Sequence, residues 1–339
     1  MFKKCLLFLV CAVYMASALN CTTYTYKQVS DLKIQLAVCT PDIPAPDGGY
    51  PVFFVAHGGG YVEGSYQTGM TGQELAEALN RGWVVVSIDY RLLPSVSLEE
   101  IFSDVQDAYT WVRTQLTRFT PINPDLIIVF GQSAGGGIAV LAGYKLSPRP
   151  KAILAFYAGF TNWTDPFAYD ATTPVPAAYA AAANKFSVPV VTEYIPPSPT
   201  DPKWVFWTTV FASHKLGWLV TTHDPNLPSD QILAKLREFS AVEHVDQNYP
   251  PTYLAHGLAD IVVPYTQSVQ LADKLKANNV DYVVDLVPNA NHGFDADPTN
   301  WQQHVLPAFE FAQKYVSKSS KKFLGKPAPL ASFLKLIGL

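Results

Sequence analysis

With 339 residues, 49% of them apolar, the chain can bury a core large enough for one big domain carrying an insertion. A net charge of −4, with charged residues at only 15%, offers no basic surface for nucleic acid and no acidic run of the kind that forms a disordered tail. Prolines gather between residues 171 and 202 and at turns rather than in a low-complexity array, and no internal repeat is present.

Residues 1–18 begin with Lys3 and Lys4, continue through an apolar stretch from Cys5 to Met15, and end in Ala16-Ser17-Ala18. That is the pattern of a secretory signal peptide cleaved after Ala18. The apolar stretch is shorter than the roughly 20 residues a spanning helix needs, so the mature chain is expected to be secreted without a transmembrane span. Cleavage removes Cys5 and Cys11 and leaves Cys21 and Cys39, an even count in an oxidising compartment, for which one disulfide is expected. Sequons stand at Asn20 and Asn162. Asn162 is favoured for glycosylation because Asn20 lies almost at the new terminus.

Residues 22–28 and 32–39 alternate and are rich in Thr, Tyr and Val, with Ser30-Asp31 between them, so they predict a β-hairpin that sets Cys21 nearly opposite Cys39. Short apolar runs at 51–56, 83–88, 126–130, 151–157, 252–256 and 281–287 are bounded by Gly, Pro or Asp, as buried strands are. A capping box from Ser97 to Glu100 opens a helix whose apolar residues Ile101, Val105, Tyr109, Val112 and Leu116 recur at helical spacing. Strands alternating with helices imply a wound, mostly parallel sheet with helices on both faces. Residues 159–248 break that rhythm: they are too long for a connection and hold an Ala-rich stretch, a Pro-rich stretch and the aromatic run Trp204 to Trp218. The division expected is a core of 19–158 and 249–317, a helical cap insertion of 159–248 and a tail of 318–339. Lysines and large apolar residues mix in the tail, which would suit peripheral contact with a membrane surface. Packing on the body is preferred for so short a segment with no second anchor.

Gly131-Gln132-Ser133-Ala134-Gly135 matches G-x-S-x-G between the strand 126–130 and a helix expected over 136–145. Small residues permit a tight turn that thrusts a serine hydroxyl above the strand ends. A serine needs a base and an acid to become a nucleophile. Asp260 follows the strand 252–256 and His292 follows the strand 281–287, in the order Ser, Asp, His. His214, His223, His244, His256 and His304 have ordinary packing explanations, and Asp285, Asp295 and Asp297 are poorer acids for the triad. His57-Gly58-Gly59-Gly60-Tyr61 supplies a glycine loop after the strand 51–56 whose amides can point at a developing oxyanion. It lacks the lysine of a P-loop, so a phosphate cradle is disfavoured.

Taken together, His57 to Gly60, Asp89-Tyr90-Arg91-Leu92-Leu93-Pro94, Gly131 to Gly136, Gly257 to Asp260 and His292-Gly293-Phe294 resemble the hormone-sensitive-lipase-like carboxylesterase group of α/β-hydrolases, over about residues 50–315. The resemblance implies the α/β-hydrolase fold, an oxyanion hole from Gly59, Gly60 and Ala134, and a supporting role for His57 and Gly58. Independently of the resemblance, the aromatic run Trp204 to Trp218 is expected to form an apolar ceiling over the site, which suits a small apolar ester as substrate; neither cofactor nor metal is expected. Two departures stand out: Gln132 occupies a position usually acidic in the group, and the cap follows the sixth strand. The segment His256 to Pro264 also resembles feruloyl-esterase-like and formamidase-like hydrolases, so the subgroup stays open. A non-catalytic homologue and an amidase or peptidase with the same triad are the alternatives.

Overall fold

The computed structural model describes residues 20–317 apart from 223 and 225; the expected signal peptide and the tail 318–339 lie outside the described residues. Strands β1 (Cys21–Val29) and β2 (Leu32–Cys39) form the expected hairpin, with Cys21 directly opposite Cys39 and the two sulfurs bonded. The bridge thus fastens the open end of the hairpin, where the chain enters the sheet. β2 pairs antiparallel with β4 (Val84–Ile88), and from there β3 (Tyr50–Ala56), β5 (Ile122–Gln132), β6 (Ala152–Phe156), β7 (Thr252–Gly257) and β8 (Tyr282–Val287) run parallel, in the order β1-β2-β4-β3-β5-β6-β7-β8.

Every residue of β3, β4, β6 and β7 is buried, which is why they read as unbroken apolar runs rather than alternating ones. Their side chains nonetheless divide between two cores. Phe53, Val85, Phe130 and Leu154 face α1 (Gly72–Asn80) and α9 (Leu306–Val316), where Phe53, Trp83 and Phe309 stack with centroids 5.4–6.0 Å apart. Phe54, Val86, Val129 and Ile153 face α2 (Leu98–Thr114), α3 (Ala134–Lys145) and α8 (Thr266–Ala277). The second core runs on without a break into the insertion between β6 and β7. That insertion carries α4 (Ala177–Phe186), α5 (Pro202–Ala212), α6 (Leu216–Thr221) and α7 (Ser229–Glu238).

Ser97 caps α2 as the sequence predicts: its side chain accepts from the Glu100 amide, and Glu100 accepts from the Ser97 amide at 3.0 Å. The helix also carries the buried Asp104, which holds the Arg91 guanidinium (2.8 and 3.0 Å), the Arg91 amide (3.0 Å) and Lys27 of β1 (2.7 Å). Four donors from two segments meet on one carboxylate carried by a third, tying hairpin, sheet and helix together. Removing it would strand a buried arginine. Asp104→Ala is therefore expected to lower the unfolding free energy by about 3 kcal/mol, read as a fall in the urea midpoint at constant slope.

Candidate active site

The site begins where β5 ends. Ser133 has φ 55 and ψ −121, backbone that side-chain-bearing residues rarely adopt, and α3 starts at the very next residue rather than at 136 as the sequence suggested. The turn closes so tightly that a Cβ on Gly131 would fall 2.1 Å from the Gly135 carbonyl oxygen, and one on Gly135 would fall 2.1 Å from that of Ala56. Glycine is obligatory at both. The Ser133 amide donates to Phe156 (3.0 Å), while its carbonyl accepts from Gly137 (3.0 Å) and Gly159 (2.8 Å), so the strained residue is gripped by the neighbouring strand and by the first residues of the insertion. Ser133 remains partly exposed.

His292 and Asp260 arrive on the loops after β8 and β7. His292 Nε2 lies 2.9 Å from Ser133 Oγ and its Nδ1 lies 2.7 Å from Asp260 Oδ2. The other Asp260 oxygen accepts from the amides of Val262 (2.7 Å) and Val263 (2.9 Å). Burial would raise the Asp260 pKa, but hydrogen bonds from His256 and His292 and the charge of His292 outweigh it and hold the carboxyl well below its ordinary range. Asp260 is thus ionised whenever His292 can act. Asn291 Oδ1 accepts from both the His292 amide (2.8 Å) and the Ile261 amide (3.2 Å), stitching the acid loop to the histidine loop.

The glycine loop after β3 crosses above the serine: a Cβ on Gly58 would stand 3.4 Å from that of Ser133. Gly59 and Gly60 both have positive φ, 91 and 59, and among the described residues no protein acceptor takes the amides of Gly59, Gly60 or Ala134. Ala134 is the first residue of α3, whose leading N–H groups have no partner inside the helix. His57 is fully buried, stacked on Tyr90 at 4.1 Å, and its Nδ1 lies 2.8 Å from the Gly58 carbonyl. Burial lowers its pKa to about 4, so it is a neutral strut for the loop. The Asp89 to Pro94 motif finds its purpose here. Tyr90 donates to the His57 carbonyl (2.8 Å), the Leu93 amide donates to the Tyr61 carbonyl (2.8 Å), and Asp89 accepts from the Tyr66 amide (2.6 Å).

A family model, BD-FAE, matches residues 42–275, more than half of the chain. The chain belongs to the BD-FAE family. A second model, the dienelactone hydrolase family, matches residues 237–326. Solved structures agree on the fold. An esterase of the Planctomycetes species Thermogutta terrifontis, Est2, superposes with a TM-score of 0.61 at 20% identity, covering 89% of this chain and 95% of that one. The same esterase phosphonylated by sarin gives a TM-score of 0.63 at 18% identity, with 91% and 100% covered. A truncated carbohydrate esterase from gut microbiota gives 0.58 at 18%, with 86% and 96% covered. These likenesses establish the α/β-hydrolase fold. Among curated proteins, the non-reducing polyketide synthases prhL and ausA of Penicillium brasilianum are each 28% identical over 90% and 89% of this chain, which spans only 14% of their length.

In this BD-FAE member the structure gathers Ser133, Asp260, His292, Gly58, Gly59, Gly60, Ala134 and His57 at one end of the sheet, as the sequence suggested, and separates Cys21 and Cys39 from them. The aromatic run of the insertion divides. Phe206 and Trp218 pack inward against Phe186 and Tyr179, whereas Trp204, Trp207 and Phe211 stack along α5 at 5.2 and 5.1 Å and Trp207 lies on the glycine loop. Thus the expected apolar ceiling is made by one face of α5. Of the two sequon residues, Asn162 donates from Nδ2 to Gln270 (3.0 Å) in a half-buried turn, while Asn20 is exposed. His223 lies outside the described residues.

Sequence reasoning missed four groups. His256 Nε2 sits 3.2 Å from Asp260 Oδ2 and 3.0 Å from the Val263 carbonyl, and so supports the acid as well as packing. Glu63, beside Gly59, keeps its proton to about pH 7 because it is buried. Glu74 and Asp295, from distant parts of the chain, meet under the serine turn at Gln132. No spacing signal could reveal them, since folding alone brings the segments together.

A Cβ on Gly60 would stand 2.2 Å from Trp207 Cζ2 and would require a positive φ besides. Gly60→Ala is expected to displace the loop and cut kcat/KM about 10²-fold, the cost of a lost oxyanion donor, with the melting temperature little changed. Steady-state kinetics on an activated ester beside calorimetry checks it.

Proposed function

We propose that this protein is a secreted carboxylic ester hydrolase that works through an acyl-serine intermediate on Ser133. The observation that carries the reading is the unbroken line from Ser133 Oγ through His292 to Asp260, with links of 2.9 and 2.7 Å, set on a strained turn beneath a glycine loop. His292 Nε2 takes the Ser133 proton as Oγ attacks the ester carbonyl, and Asp260 stabilises the imidazolium that forms. The carbonyl oxygen becomes an oxyanion and receives hydrogen bonds from the amides of Gly59, Gly60 and Ala134, which need no reorganisation to meet it. His292 returns the proton to the departing alcohol, and a water repeats the sequence to free the acid. No metal enters these steps.

Secretion rests on the leader-like residues 1–18 and accords with the Cys21–Cys39 bridge. Asn20 is the better glycan acceptor. Family membership supports a hydrolase, as does the fold shared with an esterase solved both with propionate bound and phosphonylated by sarin. Substrates are small apolar esters, because Trp207 lies on the glycine loop that crosses above Ser133 and continues through Phe211 to Phe160 as an apolar aromatic row. Each buried methylene contributes about 0.8 kcal/mol only while room remains.

Ser133→Ala is expected to lower kcat on an activated ester by at least about 10³-fold with the fold intact, and a phosphonate probe should label Ser133 in the wild type alone, as peptide mass spectrometry would read. Across an acyl series, kcat/KM is expected to peak between butanoyl and octanoyl. A maximum at long-chain esters, or activity only on emulsified fat, would contradict the crowded site.

A further inference from the structure

Beneath the serine turn lies a second polar cluster. Gln132, the residue before the nucleophile, points its Nε2 at Glu74 of α1 (3.0 and 3.1 Å) and at Asp295 (2.5 Å), three residues beyond His292. Glu74 also accepts from the Thr71 amide at 2.7 Å. Asp295 accepts from the Tyr157 hydroxyl at 2.6 Å, and the Tyr157 ring lies 4.5 Å from the His292 imidazole. Glu74 is wholly buried and Asp295 nearly so. Among the described residues neither carboxyl is paired with lysine or arginine.

Two buried carboxyls on one amide cannot both ionise without strong mutual repulsion. One proton therefore stays, and the geometry decides where. Asp295 takes a phenol O–H and an amide N–H and faces His292, all of which favour its anion. Glu74 takes the same Gln132 amide and the Thr71 amide, but it has no imidazole facing it and is pushed well up by burial and by the charge of Asp295. Asp295 is raised by burial too, but the Tyr157 hydroxyl and the charge of His292 pull it back. The titratable groups facing this cluster are Tyr157 beyond β6, His292 beyond β8 and, more distantly, Asp260.

Resting on the triad reading above, we propose that Asp295 is a positioning residue for His292: held by Gln132 and Tyr157, it carries the single negative charge of a carboxyl pair shared with Glu74 and favours the imidazolium that forms as Ser133 attacks. Asp260 holds the imidazole from Nδ1; Asp295 acts through the Tyr157 ring. Gln132, where a third carboxyl would add repulsion, is the neutral clamp that lets the pair keep one proton.

The test is the pH dependence of kcat/KM. Removing an anion that favours protonated His292 makes the imidazole lose its proton at lower pH, so Asp295→Asn should move the acidic limb down by on the order of one unit and lower the plateau kcat by about tenfold. KM should change little. Glu74→Gln, an isostere of the protonated member, should leave the limb where it stands in the wild type. Should Asp295→Asn not fold, Tyr157→Phe serves: it keeps the ring on His292 but removes the donor, and the limb should move in the same direction. The proposal is overturned if the limb stays fixed in Asp295→Asn, or in Tyr157→Phe where that variant serves, while phosphonate still labels Ser133. It is equally overturned if Glu74→Gln shifts the limb as far as Asp295→Asn. Absence of Ser133 labelling in the wild type would instead defeat the triad reading itself.

Discussion

Ser133 is held in a backbone conformation that costs on the order of 1–3 kcal/mol, at a junction where neither flanking glycine has room for a Cβ. The surrounding chain over-determines it. β5 feeds the turn from below, β6 receives the Ser133 amide, and Gly137 of α3 and Gly159 both donate to its carbonyl. Because α3 is buried along nearly its whole length and apolar on every side, the helix cannot slide to relieve the strain. The hydroxyl is fixed above the strand ends by the packing of the entire sheet.

From that fixed point the other parts take their positions. The glycine loop crosses the turn at contact distance and is held from behind by Tyr90 and Leu93, so a motif well away from the nucleophile in sequence is a brace for the amides above it. The insertion meets the same loop from the opposite side. Gly64 and Tyr194 exchange backbone hydrogen bonds at 2.8 and 3.3 Å, and Trp207 rests on Gly60. Any movement of the insertion is thereby coupled to the glycine loop whose amides are the proposed oxyanion donors. A lid that opened freely would have to break these contacts.

Buried polar groups mark the other economy of the molecule. Asp104, Asp260 and the Glu74–Asp295 pair all lie within the fold, yet each is satisfied differently: Asp104 by two cations, Asp260 by amides and two imidazoles, and the pair by two amides, a phenol and a retained proton. Low local polarity makes every one of these arrangements sensitive to the loss of a single partner. It also gives them reach, since charge in such surroundings is poorly screened.

The strands, the capped helix α2, the hairpin with its bridge and the candidate site residues Ser133, Asp260 and His292 were legible in the sequence because each rests on local rules. Buried strands are continuous apolar runs, Ser97 and Glu100 lie one helical turn apart, and the turn at Ser133 demands glycines on both sides of it. Their boundaries were less legible: β5 extends to Gln132 and α3 begins at Ala134, since a strained elbow leaves no loop between strand and helix. The division of the aromatic run was invisible as well, for Phe206 and Trp207 are neighbours that leave α5 in different directions. By itself the sequence determined which residues are candidates for the proposed acyl transfer and in which order they follow the strands. Only the tertiary structure decided which carboxyls, hydroxyls and rings stand behind them. Gln132, Glu74, Tyr157 and Asp295 come from separate stretches of the chain, Gln132 and Asp295 alone lying 163 residues apart, and nothing but the closure of the sheet and its helices brings them into one hydrogen-bonded cluster.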